Sequence, residues 1–162
     1  MAFTMDQQVP APDRVRAALT AAGVDARIEE FPASTRTARE AASTVGTSVG
    51  QIVKSLVFVS GNSPVLALVS GVNQLDTQRL GALTGAAIGK ADADAVRRAT
   101  GYAIGGVPPI GFPAPIPTFI DRDLLQYDLV WAAAGTPRHV FPIVPAELVR
   151  ITGGRVADLK PD

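Results

Sequence analysis

The chain has 162 residues, no cysteine, and 15 basic against 15 acidic side chains, so its formal net charge is +0. That length fits one core, and the absence of thiols excludes disulfides, cysteine nucleophiles and thiolate zinc sites. Hydrophobic residues at 47% and charged ones at 19% describe a globular chain, and with no net charge a polyanion partner needs a local basic patch.

The N-terminal stretch lacks a basic segment followed by an apolar one, so it does not read as a signal peptide. Residues 1–12 read as a flexible arm and residues 13–162 as one domain. No apolar run reaches the ~20 residues of a membrane helix, and a cytoplasmic setting is expected. Asp13 is placed to cap a helix running to Ala22, with Val15 and Leu19 on one face. Arg27 to Phe31 reads as a short strand. Thr37 caps a second helix, Ala38 to Val45, with Glu40 completing a capping box and Gly46 as the stop. The β-branched run from Ile52 to Val59, the turn at Gly61-Asn62-Ser63 and the apolar run after it predict a hairpin.

Asp76 caps a short helix to Leu83, and Ala86 to Gly89 is a strand candidate. Asp92 caps a helix to Thr100, stopped by Gly101. Three more strands are expected at Thr118 to Asp121, Leu129 to Ala134 and Arg138 to Phe141. Pro145 opens a last helix to Thr152, and Arg155 to Leu159 is a final strand. The elements mix without strict alternation, which favours a largely antiparallel sheet with helices around it.

Four features could carry chemistry. Lys54 lies inside an apolar strand, either as an edge residue reaching solvent or as a partly desolvated amine facing a cleft. Arginine supplies 12 of the 15 basic residues, so a lysine here suggests that an amine is wanted. The segment 101–117 holds four glycines and five prolines. It is either a connector or a stiff loop whose N–H groups hold a carbonyl or phosphate oxygen. His139 is the sole histidine; it is structural, or it orients water or substrate. Asp121, at a strand end, binds polar groups of a substrate or caps the turn that follows. Gly46-Thr47-Ser48-Val49-Gly50 matches a nucleophile elbow, but that elbow needs a strand before it and a helix after it. Here the order is reversed, and Ser48 reads as structural. One histidine, no cysteine and no dense carboxylate cluster predict no metal and no cofactor.

Taken in order, Gln51-Ile52-Val53-Lys54-Ser55-Leu56-Val57-Phe58, Lys90-Ala91-Asp92, Thr100 through Gly111, Ile116 through Asp121 and Ala134-Gly135 resemble the YbaK and prolyl-tRNA-synthetase-associated editing domain family. The resemblance runs from about Arg27 to Asp158. It implies a mixed α/β (α+β) fold around a curved, barrel-like, largely antiparallel sheet. It implies hydrolysis of the ester joining a wrong amino acid to the 3′-terminal adenosine of tRNA. The family's essential lysine maps onto Lys54, and its glycine-to-proline loop onto Gly105 through Pro109.

Lys54, Gly105 and Gly106 are thus the expected catalytic residues. Val107, Pro108, Pro109, Asp121, Gly135 and His139 are the expected substrate-binding ones. The expected partners are the aminoacyl-tRNA 3′ end and an aminoacyl-tRNA synthetase. Where some family members carry an acidic residue this chain has Val140, so His139 takes part of that role or the substrate differs. Alanine, serine, threonine and cysteine remain open as the amino acid removed. A noncatalytic module that binds an aminoacyl or tRNA end and docks on a synthetase is the competing reading.

Overall fold

The computed structural model describes residues 9–25, 27–33, 35 and 37–162. Of the expected N-terminal arm, residues 1–8 lie outside these. The first helix, α1 (Ala11–Ala21), begins before the expected cap at Asp13. Pro10 precedes the helix and Pro12 sits in its first turn, where a missing N–H costs no hydrogen bond. Val15 and Leu19 are fully buried on its inner face.

The caps of the next helices follow directly from side-chain chemistry. Helix α2 (Ala38–Val45) starts where Thr37 Oγ1 accepts the Glu40 N–H at 3.1 Å. Helix α3 (Thr77–Thr84) starts where Asp76 accepts from Gln78 N–H at 2.9 Å. Helix α4 (Ala93–Thr100) starts where Asp92 accepts from Ala95 N–H at 2.8 Å. Each bond satisfies one of the free donors of a first turn. Helix α5 (Pro145–Thr152) opens on a proline, as expected.

The strands are β1 (Glu29–Glu30), β2 (Val53–Ser60), β3 (Ser63–Ser70), β4 (Ile88–Lys90), β5 (Thr118–Asp121), β6 (Val130–Ala133), β7 (His139–Ile143) and β8 (Arg155–Ala157). They form a five-stranded sheet in the order β4-β2-β3-β5-β8 and a three-stranded sheet in the order β1-β7-β6. The β2–β3 hairpin is in register from Val53–Ser70 to Ser60–Ser63. Strand β3 is buried on both faces. Leu66 and Leu68 enter the core with α1, and Val65, Ala67 and Val69 enter a second core with Leu80 and Leu159. That explains its unbroken apolar run.

The fold is mixed α/β, with antiparallel pairing at β2–β3, β2–β4, β1–β7 and β6–β7. Pairing is parallel at β3–β5 and β5–β8. The barrel-like sheet expected from the resemblance is not found as a closed barrel. The two sheets meet at one bridge, Ile52 with Trp131.

Candidate active site

Strand β4 pairs with β2 only from Phe58 to Ser60. Upstream of that, on the side away from β3, β2 faces β6 instead. The space between this part of β2, helix α2, the β6–β7 hairpin and the Ile104–Val107 segment is a cleft of about 580 Å³. That is the size of small-molecule sites in general. Lys54, Gly105, Val107 and His139 all line it, though they come from three separate parts of the chain. Gly106, Pro108, Pro109, Gly135 and Asp121 do not line it.

Lys54 is half-buried. Its ammonium donates a hydrogen bond to the main-chain carbonyl of Asn73. Burial pushes its pKa below the ordinary lysine value, and the nearby Asp121 carboxylate pulls the other way. An ammonium carries three N–H donors. One goes to Asn73, and the other two have no protein partner among the described residues.

Gly105 has φ +92°, which only glycine adopts without strain. It is exposed to the cleft, and its N–H makes no hydrogen bond among the described residues. Gly106 does something else. Its N–H donates to Ala103 O at 3.0 Å, and its carbonyl accepts from Gly135 N–H at 2.9 Å. A β-carbon there would lie 2.6 Å from Thr136 Cα and 2.7 Å from Gly135 O. Gly106 therefore lacks a side chain so that two backbones can touch. Pro108, Pro109 and Gly135 are buried behind the lining.

His139 opens β7. Its Nδ1 hydrogen-bonds Thr136 Oγ1 at 2.5 Å, and its Nε2 lies 3.9 Å from the Glu30 carboxylate. Glu30 is its register partner on β1. A carboxylate thus reaches this corner from another strand, although the chain has Val140 where the resemblance leads one to expect an acidic residue. Asp121 is 1% exposed. Its Oδ2 accepts from Ser70 N–H at 3.0 Å and from Asn73 Nδ2 at 2.8 Å, and its Oδ1 accepts from Asp123 N–H at 2.9 Å. Of the two roles expected of it, Asp121 fills the second, capping the turn that follows β5, and it also holds the end of β3.

Sequence reasoning missed other lining groups: Trp131, Arg39, Thr136 and Ser55. The Ser55 hydroxyl is buried without a hydrogen-bond partner among the described residues. Trp131 is the chain's sole tryptophan, a signal available in the sequence. Ser48 caps a 3-10 turn, Val49–Gln51, through hydrogen bonds to Gln51 Oε1. A helix precedes it and β2 follows, so the elbow geometry is absent.

The family model described as "aminoacyl-tRNA editing domain" matches residues 32–151. These include Lys54, the Gly105 segment and His139. The chain belongs to the aminoacyl-tRNA editing domain family, of the YbaK type. A crystal structure of a candidate trans-editing enzyme for prolyl-tRNA synthetase superposes with a TM-score of 0.91 at 51% identity, covering 95% of this chain and 99% of that one. A candidate Cys-tRNA(Pro)/Cys-tRNA(Cys) deacylase, EbsC of Enterococcus faecalis, is 28% identical over 124 residues, 75% of this chain and 76% of its own. A proline–tRNA ligase of Streptococcus sanguinis is 30% identical over 136 residues, 78% of this chain but 22% of the ligase. The matched segment is thus a small part of a much longer synthetase.

Proposed function

We propose that this protein is a trans-editing deacylase that hydrolyses the ester between a small amino acid and the 3′-terminal adenosine of tRNA. Residues 13–162 act as one editing domain, in the cytoplasm, on tRNA charged by a synthetase that confuses small side chains. The observation that carries this reading is the convergence of Lys54, Gly105, Val107 and His139 on one cleft inside the segment matched by the editing family.

The chemistry follows from the groups present. Water adds to the ester carbonyl, the bond to the ribose oxygen breaks, and that oxygen leaves with a proton as the free hydroxyl. The amino acid leaves as its carboxylate. An aminoacyl ester is already activated, so no protein nucleophile is needed. The two uncommitted N–H donors of Lys54 are suited to the oxyanion that develops on the carbonyl. The free Gly105 N–H is a second donor on the same cleft. His139, held by Thr136, is the group suited to orient water or the substrate amine.

Val107, Ile104 and Trp131 are apolar walls, which select by size. Val107→Ala is expected to shift the ratio of kcat/KM between alanyl and larger aminoacyl groups by about 10- to 200-fold, the value of one to a few methylenes in a pocket. The measurement is deacylation of alanyl-, seryl-, threonyl- and cysteinyl-tRNA by wild type and variant. Hydrolysis of at least one of them well above the buffer rate supports the proposal. No hydrolysis of any, with tight binding retained, would identify a noncatalytic module instead.

A further inference from the structure

Lys54 is the group on which the proposed chemistry depends, yet a lysine on four single bonds does not hold a fixed place unaided. A chain of contacts from β5, two strands away at the same end of the sheet, supplies that constraint. The Lys54 ammonium donates to Asn73 O, in the turn that ends β3. That turn is fixed three ways. Gly71 N–H donates to Ile52 O at 2.8 Å, Asn73 N–H donates to Ser70 O at 2.9 Å, and the Asn73 side chain donates to Asp121 Oδ2 at 2.8 Å. The same Asp121 oxygen accepts Ser70 N–H at 3.0 Å. The Asn73 amide also reaches Asp123 Oδ2 at 2.8 Å, which Lys160 pairs at 2.9 Å.

We infer that Asp121 and Asn73 are a positioning pair for Lys54: the buried carboxylate clamps the Asn73 turn so that its carbonyl holds the ammonium at the mouth of the cleft. This rests on the reading of Lys54 as the working cation. Two observations favour a functional over a purely structural role. Asp121 is 1% exposed, and a buried carboxylate is costly unless it is hydrogen-bonded and near a cation. Its three donors come from the two loops that end β3 and β5, and Lys54 is a cation within its electrostatic reach. The charged and titratable groups around Lys54 are thus Asp121 on β5, Asp123 and Lys160 behind Asn73, and Arg39 and His139 on the walls of the cleft, with Glu30 beside His139.

The test combines kinetics with the 15Nζ resonance of Lys54, titrated in the intact chain. Asp121→Asn keeps the shape but loses the charge, and in either orientation its NH2 group faces at least one N–H that the carboxylate accepted. Asn73→Ala removes the side-chain clamp but keeps the carbonyl, in a half-buried turn, and leaves Asp121 the Ser70 and Asp123 N–H donors. Both are expected to lower kcat by about 10- to 100-fold with little change in KM, as for a misplaced catalytic group. Both are expected to move the Lys54 titration further down, Asp121→Asn more than Asn73→Ala.

Lys54→Ala is run beside them. If it keeps wild-type activity, the reading of Lys54 fails. If Lys54→Ala is inactive while Asn73→Ala keeps both kcat and the Lys54 titration of wild type, the positioning inference is overturned. Should Asp121→Asn fail to fold, the Asn73→Ala result decides alone.

Discussion

Lys54→Ala is expected to lower kcat/KM for deacylation by about 10²–10³-fold, the usual effect of removing one preorganised donor from a developing oxyanion. The fold should survive. The side chain is half-buried and its one protein hydrogen bond goes to a carbonyl in a turn that other bonds already hold. Lys54→Arg should fail nearly as badly, since a planar fork cannot replace a compact ammonium between Asn73 O and a substrate carbonyl.

The pH profile carries the same signature. The ammonium is the working form, so activity is present below the folded pKa and is lost as pH rises through it. Burial sets that pKa below 10.5, so the alkaline limb begins earlier than for an exposed lysine. Stability moves the other way. Between the folded value and 10.5 the unfolded chain keeps a proton that the folded chain has released, so stability rises with pH in that window. Rates corrected for spontaneous ester hydrolysis, measured with circular dichroism melts over the same pH range, check both directions. Lys54→Ala with wild-type kcat/KM would remove the lysine from the mechanism.

The second large effect is expected at Gly106. A methyl group there would sit 2.6–2.7 Å from the backbone of Gly135 and Thr136. Neither is a flexible side-chain end, so the loop or the hairpin must move. Overpacking of this kind costs about 1–3 kcal/mol, which for a chain of this length lowers Tm by about 2–12 °C. The displacement also pulls Gly105 and Val107 away from the cleft, so activity falls with stability. Gly105→Ala is the contrast. Its β-carbon meets only side-chain carbons of Pro137, at 3.4 and 3.9 Å, and its cost is the positive φ, about 1 kcal/mol. Thermal unfolding of the two variants separates the roles. A Gly106→Ala protein that melts like wild type would show that the two backbones do not need to touch.

The contrast between these glycines shows where the sequence was legible. Local chemistry read well. Thr37, Asp76 and Asp92 each cap the helix expected of them, because a cap needs only a side chain and the N–H two or three residues on. The β2–β3 hairpin read well for the same reason. Lys54 and the Gly105 segment stood out because their residue types and order resemble a family. The cap that Asp121 gives to the turn after β5 was legible as the helix caps were, but the other surroundings of Gly106 and Asp121 were not, because they are distant in the chain. The backbone against Gly106 comes from Thr136, and the amide against Asp121 comes from Asn73.

No periodicity reports such neighbours. The parallel pairing of β3 with β5 and of β5 with β8 was hidden likewise, since hairpin signals reveal antiparallel neighbours only. Glu30 beside His139 was invisible because β1 is two residues long and its partner lies over a hundred residues away. Trp131 could have been found, as a lone aromatic in an expected strand.

The central claim is that one cleft, between the Lys54 strand and the Gly105 segment, receives the aminoacyl-adenosine end. A crystal structure of the wild-type protein with a non-hydrolysable alanyl-adenosine, amide-linked at the 3′ position, tests it most directly. The expected result places the analogue's carbonyl oxygen within hydrogen-bond distance of Lys54 Nζ or Gly105 N–H, with its methyl group against Val107. Density for the analogue elsewhere, such as the groove between α1 and α4 lined by Arg14, Arg97 and Arg98, with the Lys54 cleft empty, would contradict it.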